Sequence, residues 1–301
     1  MLGKHARFLA LDRLCFRGSE LRAVKKIAIL PTLLTLGNGV CGFFAIAYAS
    51  RIAPGKPVDA ESARYLFYSG WLILAAMVFD ALDGYVARLS RTSSDFGGQL
   101  DSLCDAISFG AAPGFLLLRL GQEWQTPSVA NVIPIIAALY VVCAILRLAR
   151  FNVENSPDPA AHKRFKGLPS PAAAGCLATL AMLRGQTPEI LSGAEPFLHG
   201  LVKFWAPIGA LVVALLMVSR VPYPHLTKQL LRGRRHFSSI VRMVLVVFLV
   251  LLLQELALQH VALIATFWGY ALFFLGRYLV FRALGRRRLP ATTSVDEPIA
   301  H

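Results

Sequence analysis

Four aspartates, Asp80, Asp83, Asp101 and Asp105, fall within 26 residues of one another, in or beside runs of apolar residues. A charged side chain at membrane depth costs about 3 kcal/mol on insertion scales, so each needs a partner. At about 100° per residue, Asp80, Asp83, Gly84 and Ala87 share roughly 100° of a helix, with Arg88 at the edge. Gly97, Asp101 and Asp105 share roughly 80° of the next. Two such stripes facing each other bring four carboxylates into one small space, where they repel unless cations neutralise them. An all-oxygen donor set of that kind suits Mg²⁺, Mn²⁺ or Ca²⁺, and a pair of such ions can clamp a displacement at phosphorus. Gly84 and Gly97 lack side chains, so backbone or ligand can approach closely there. Three of the acids also have a plainer use by themselves: Asp80 and Asp83 as caps or partners of Arg88, Asp101 as an N-cap. For all four together the chief rival is a proton or cation pathway through a transporter, which leaves the two glycines and Arg88 without a role.

The elements that must position these acids are membrane helices. Of 301 residues, 56% are hydrophobic and 16% charged. The mean hydropathy is +0.57. Soluble domains carry about 25% charged residues, so a water-soluble globule is excluded. Eight apolar runs, near 27–49, 66–88, 98–120, 131–152, 169–184, 201–219, 239–257 and 262–282, predict an all-α, polytopic membrane helix bundle. The fifth is short and carries three Pro or Gly positions, which allows an irregular segment. The five cysteines (15, 41, 104, 143, 176) form no CxxC pair and read as small buried residues.

The net charge of +14 would suggest nucleic acid in a soluble protein. Here the basic residues sit between apolar runs, so membrane lipids are the expected partner and nucleic acid is not. With the N-terminus in the cytoplasm, segments 1–26, 88–96, 147–168, 220–242 and 277–301 hold 25 of the 31 Lys and Arg. Arg51, Lys56, Arg64, Arg119, Arg184 and Lys203 fall on the other side. That bias predicts both termini on the cytoplasmic face. It also brings the four aspartates to one depth, near the cytoplasmic end of helix two and the start of helix three. Residues 1–26 are too long and too polar for the n-region of a cleavable signal. They are expected to be a basic cytoplasmic segment, either an amphipathic surface helix or a loose tail, and residues 286–301 a disordered basic tail.

Asp80-Ala-Leu-Asp83-Gly84-Tyr-Val-Ala87-Arg88, eight residues, then Gly97, Asp101 and Asp105 resembles the signature of the CDP-alcohol phosphotransferases. That signature is Asp-x2-Asp-Gly-x2-Ala-Arg-x8-Gly-x3-Asp-x3-Asp, and every fixed position is present. The resemblance covers 27–225 and implies an integral membrane enzyme with a six-helix core there; the further helix pair expected at 226–285 lies outside it. Such an enzyme moves a phosphatidyl or related group from a CDP-linked donor to an alcohol and releases CMP. It implies that Asp80, Asp83 and Asp101 hold divalent metal, Mg²⁺ or Mn²⁺ and two ions. Asp105 would touch the second metal and serve as general base. Gly84, Ala87, Arg88 and Gly97 would receive the cytidine and diphosphate, with Asp83 alongside. A homodimer in a bacterial inner membrane is implied as well.

Three further stretches bear on the acceptor. Asn38, in Thr-Leu-Gly-Asn-Gly-Val-Cys-Gly-Phe-Phe (35–44), is either a helix–helix hydrogen bond or a contact to the CDP donor. Arg147 and Arg150, in Arg-Leu-Ala-Arg-Phe-Asn (147–152), either snorkel to lipid headgroups or bind a carboxylate or phosphate, for which the guanidinium fork is suited. Lys166 and Ser170, in Phe-Lys-Gly-Leu-Pro-Ser-Pro (165–171), stand where they can line the mouth of the site. With Val-Ser-Arg-Val-Pro-Tyr (218–223), these stretches are similar to the serine-accepting branch of the family. That implies CDP-diacylglycerol and L-serine as substrates and phosphatidylserine and CMP as products. Glycerol phosphate, inositol or its phosphate, and choline stay open as acceptors, and so does a cation-coupled transporter from another class.

Overall fold

The computed structural model describes residues 29–53, 58–90, 95–120, 127–154, 167–185, 195–223 and 259–283. The expected run at 239–257, the two termini and Lys166 lie outside the described residues. Seven helices are described. They are α1 Ile29–Ser50, α2 Ala60–Ser90, α3 from Asp95 to Leu120, α4 Pro127–Glu154, α5 Ser170–Gly185, α6 Glu195–Val218 and α7 Gln259–Ala283. All but α5 are long and apolar enough to cross a membrane, which makes this a multi-pass, all-α membrane bundle. Large apolar side chains such as Phe43, Ile135, Phe204 and Phe273 stand exposed on its outside, as expected where lipid is the solvent.

Local chemistry sets several of these helices. Asp59 caps α2, its Oδ1 accepting from the Ser62 amide at 2.8 Å. Pro134 and Pro207 lie inside α4 and α6, a position that membrane helices tolerate. The run expected to be irregular is a regular helix. Its prolines, Pro169 and Pro171, sit at its start, where no intrahelical N–H is missed. Beyond them α5 is buried on all faces from Ala172 to Leu183 and packs against α2, α6 and α7. It is the centre of the bundle, and its small residues let the neighbouring backbones close in.

The irregularity occurs instead in α3. After Asp95–Asp105 the helix passes through one π-turn, Ala106–Ala111, before continuing as Ala112–Leu120. A π-turn re-aims the residues on either side of it and commonly accompanies functional sites. Here it is held from both flanks. The Ser108 hydroxyl donates to Asn38 O on α1 at 2.8 Å, and the buried Tyr140 hydroxyl of α4 donates to Phe109 O at 3.0 Å. Helix α1 approaches α3 closely at Gly42, where a Cβ would stand 2.6 Å from Ser108 Cα.

Candidate active site

Helices α2 and α3 bring Asp80, Asp101 and Asp105 together, so that one carboxylate oxygen from each lies within 4.8 Å of the others. Such a triad can hold a metal ion. Asp83 is not one of these three. It is only 5% exposed, is in electrostatic contact with the other acids, and lies within hydrogen-bonding reach of Thr35 on α1. The four acids expected to converge are therefore a triad with a fourth carboxylate beside it, because Asp83 turns toward α1 while Asp80 turns toward α3. Asp83 Oδ2 and Asp101 Oδ1 are buried with no hydrogen-bond partner among the described residues. Buried carboxylate oxygens without donors are what a hard cation takes as ligands, so the donor set fits a divalent metal.

Asp105, 8% exposed, ends the regular part of α3 one residue before the π-turn. Asn38, fully buried, donates from Nδ2 to Asp105 Oδ1 at 2.9 Å. Of its two sequence readings, Asn38 satisfies the interhelical one. Its own Oδ1 stays buried without a partner among the described residues, so the amide has an acceptor left for a ligand. Thr35 carried no separate signal in the sequence. Only the packing of α1 on α2 shows it beside Asp83.

The residues expected to receive the donor line the same end of α2 and α3. The Arg88 guanidinium folds back over Gly84, with Nη1 3.5 Å from where a Cβ would be, and it acts on both Asp80 and Asp83. Ala87 and Gly97 are half-buried. Nearby, Asn152 at the end of α4 donates to Ser102 Oγ at 2.9 Å, fixing α4 against α3 at this depth.

The two expected acceptor arginines part company. Arg150 is exposed. Arg147 points into the bundle, donates from Nη1 to Ser170 Oγ at 2.8 Å, and is in electrostatic contact with Asp105 and Asp80. Ser170 is fully buried at the start of α5, and the segment before it is clamped. Gly167 N–H donates to Val221 O at 2.8 Å and Leu168 N–H to Leu216 O at 2.9 Å. Gly167 has φ of +102°, and a Cβ there would run into Met217 O, so only glycine fits without strain. Residues 167–170 and the stretch 216–221 are thus tied together, which sets Ser170 opposite Arg147.

The description CDP-alcohol phosphatidyltransferase matches this chain over residues 28–218. The chain is 34% identical over 208 residues to the CDP-diacylglycerol–serine O-phosphatidyltransferase of Helicobacter pylori, covering 68% of this chain and 76% of that protein. It is 32% identical over 202 residues to the protein of that name from Methanocaldococcus jannaschii, covering 67% and 77%. It is 31% identical over 200 residues to the one from Bacillus subtilis, covering 66% and 92%. A match over 28–218 that contains the whole aspartate pattern shows that the chain belongs to the CDP-alcohol phosphatidyltransferase family.

Proposed function

We propose that this protein transfers the phosphatidyl group of CDP-diacylglycerol to the hydroxyl of L-serine, giving phosphatidylserine and CMP. The observation that carries the reading is the carboxylate triad with Arg147, held by Ser170, within electrostatic range of it. The activity for which the similar proteins are named supports the same acceptor. Asp80, Asp101 and Asp105 would hold divalent metal with Asp83 alongside, Mg²⁺ or Mn²⁺ and two ions in all. When bound, such ions supply positive charge to the diphosphate and to the departing CMP.

The chain's own residues do the rest. Arg88, folded over Gly84, neutralises phosphate charge, and Ala87 and Gly97 leave room for the nucleotide. Arg147 takes the serine carboxylate through its two-pronged face. Asp105, fixed by the Asn38 amide, accepts the proton of the serine hydroxyl. The serine oxygen forms its bond to the diacylglycerol-linked phosphorus, the bond from that phosphorus to the bridging oxygen breaks, and CMP leaves with the bonding pair. Residues 27–225 form the catalytic unit in this reading, which also takes in a homodimer and a bacterial inner membrane. Purified protein incubated with CDP-diacylglycerol, Mn²⁺ and a panel of alcohols should release CMP with serine far faster than with glycerol phosphate, inositol or choline. Ion flux without CMP release would instead establish the transporter.

If Arg147 holds the serine carboxylate, Arg147→Lys keeps the charge but loses the fork. A loss of roughly 1–3 kcal/mol, or about 5- to 150-fold in KM for serine, is expected, with KM for CDP-diacylglycerol nearly unchanged. Arg150→Lys should be almost silent, since an exposed lysine reaches the interface as well. Equal silence at both positions removes the physical argument for serine and leaves the reaction class intact.

The 25 of 31 basic residues assigned to one side support a cytoplasmic site. In a background without the native cysteines, single cysteines placed at 93 and 160 should label from the cytoplasmic side only. One at 192 should label from the opposite side only. A residue 93 label reached solely from outside overturns the orientation.

A further inference from the structure

Tyr223 and helix α7 lie beyond the family-matched segment 28–218, yet a series of hydrogen bonds runs from α7 to Arg147. Its last member is the bond from Arg147 Nη1 to Ser170 Oγ at 2.8 Å. Ser170 opens α5, and Gly167 to Pro169 lead into it as a non-helical segment. The Gly167 and Leu168 amides donate to Val221 O and Leu216 O, and the Ala173 amide donates to Pro169 O at 3.0 Å, so the first turn of α5 is built on that segment. The accepting chain is itself tightly folded. Ser219 Oγ donates to Leu216 O at 2.8 Å and accepts from the Val221 amide at 3.3 Å.

Beyond Val221 the chain is braced on α7. The Tyr223 hydroxyl donates to Ala271 O at 3.0 Å, and its ring packs against Tyr270 at 5.7 Å and Phe274 at 5.8 Å. Tyr223, Val221 and Ala271 are all buried, and a hydrogen bond in such a setting is costly to lose. Helix α7 is in turn fixed on α5, where the Trp268 indole N–H donates to Cys176 O at 3.1 Å. Helix α5, helix α7 and the 216–223 segment therefore close a ring of contacts, and Ser170 stands where that ring returns to α5.

We infer that Tyr223 is a positioning residue of the acceptor site: braced on α7, it holds the turn that sets the Gly167–Ser170 segment, and so holds the Ser170 hydroxyl against the Arg147 guanidinium. The inference rests on the assignment of Arg147 to the serine carboxylate. A guanidinium fixed at one nitrogen by a rigid partner has lost its rotamer freedom in advance and is pre-organised for a planar carboxylate. Loosening Ser170 therefore costs serine affinity. The CDP-diacylglycerol end, built on α2 and α3, does not depend on this ring.

The test uses the full-length protein in lipid vesicles, with serine and CDP-diacylglycerol varied separately. Tyr223→Phe removes only the hydroxyl and keeps the ring that packs on α7. KM for serine should rise about 3- to 10-fold, within the range of one neutral hydrogen bond, while kcat and KM for CDP-diacylglycerol stay within about 2-fold. In a Ser170→Ala background the same change should add little, because residues acting through one group are not additive. Ser69→Ala is the packing control. It removes a buried hydroxyl that donates to Ala45 O at 3.0 Å between α2 and α1, a bond of the same kind away from this ring. It should lower the melting temperature and leave KM for serine unchanged. If Arg147→Lys raises KM for serine and Tyr223→Phe does not, the role of Tyr223 is overturned and the assignment of Arg147 survives. If Arg147→Lys is silent, that assignment falls and takes this inference with it. If Tyr223→Phe and Ser69→Ala move KM for serine alike, or Tyr223→Phe acts as strongly without the Ser170 hydroxyl as with it, Tyr223 only packs and the inference is overturned.

Discussion

Asp80→Asn and Asp101→Asn are each expected to reduce CMP release by at least about 10²- to 10³-fold while leaving a folded protein. The two side chains supply oxygens to the triad, and a metal at a phosphoryl centre contributes several kcal/mol of charge stabilisation, at about 1.4 kcal/mol per tenfold in rate. Stability should move the other way. Without metal, the triad is a set of like charges at close range, and Asn keeps the shape while removing one of them. The metal-free variants should therefore melt at or above the temperature of the metal-free wild type. Adding Mn²⁺ at about 100 times its dissociation constant should stabilise the wild type by roughly 2.7 kcal/mol and the variants far less. Chelator should abolish wild-type turnover reversibly. Full activity in either variant, or a melting temperature indifferent to Mn²⁺ in the wild type, would sink the metal assignment.

That Asp80, Asp101 and Asp105 would meet was legible in their spacing. Asp80 and Asp83 on one helix, and Asp101 and Asp105 on the next, each follow helical periodicity, so their faces can be read without coordinates. Apolar runs likewise disclose the membrane helices, because hydrocarbon demands unbroken stretches of about 20 residues. The choice between Arg147 and Arg150 is different in kind. Helix α4 is apolar on most sides, so hydropathy alone does not mark its inward face. The buried set Tyr140, Cys143, Ala144 and Leu148 does follow the helical stripe, and Arg147 lies on it. That signal needs the burial of the stripe to be known first.

Other features had no local signal at all. The π-turn at Ala106–Ala111 is written in nothing but tertiary contacts, from Asn38 on one flank and Tyr140 on the other. The glycine and prolines that suggested an irregular α5 serve other ends: Pro169 and Pro171 start the helix, and Gly175 admits Phe267. Asn38 resisted a single reading because an amide has two ends. Its N–H is spent on Asp105 and its oxygen is not.

Asp105→Asn should separate binding from chemistry. Asp105 stands one helical turn beyond Asp101 on the same face, belongs to the triad, and is oriented by Asn38 at 2.9 Å. Asparagine keeps the shape and can still present an oxygen to the Asn38 N–H, so the interhelical contact survives. What disappears is the proposed acceptor of the serine proton. Loss of a general base costs about 10²- to 10⁴-fold, so kcat should fall by that amount. Binding of CDP-diacylglycerol should persist, because Asp80, Asp83 and Asp101 would still offer oxygens to at least one metal. Asn38→Ala offers the complementary test: it leaves the carboxylate in place but frees its orientation, so its kcat loss should be smaller than that of Asp105→Asn. Combined with Asp105→Asn, it should add little, since a positioning contact has nothing left to position. If Asp105→Asn instead weakened donor binding and kept its rate at saturating donor, Asp105 would be a ligand only. The base would then be another group facing the serine hydroxyl, with Asp83, the carboxylate outside the triad, the first to replace.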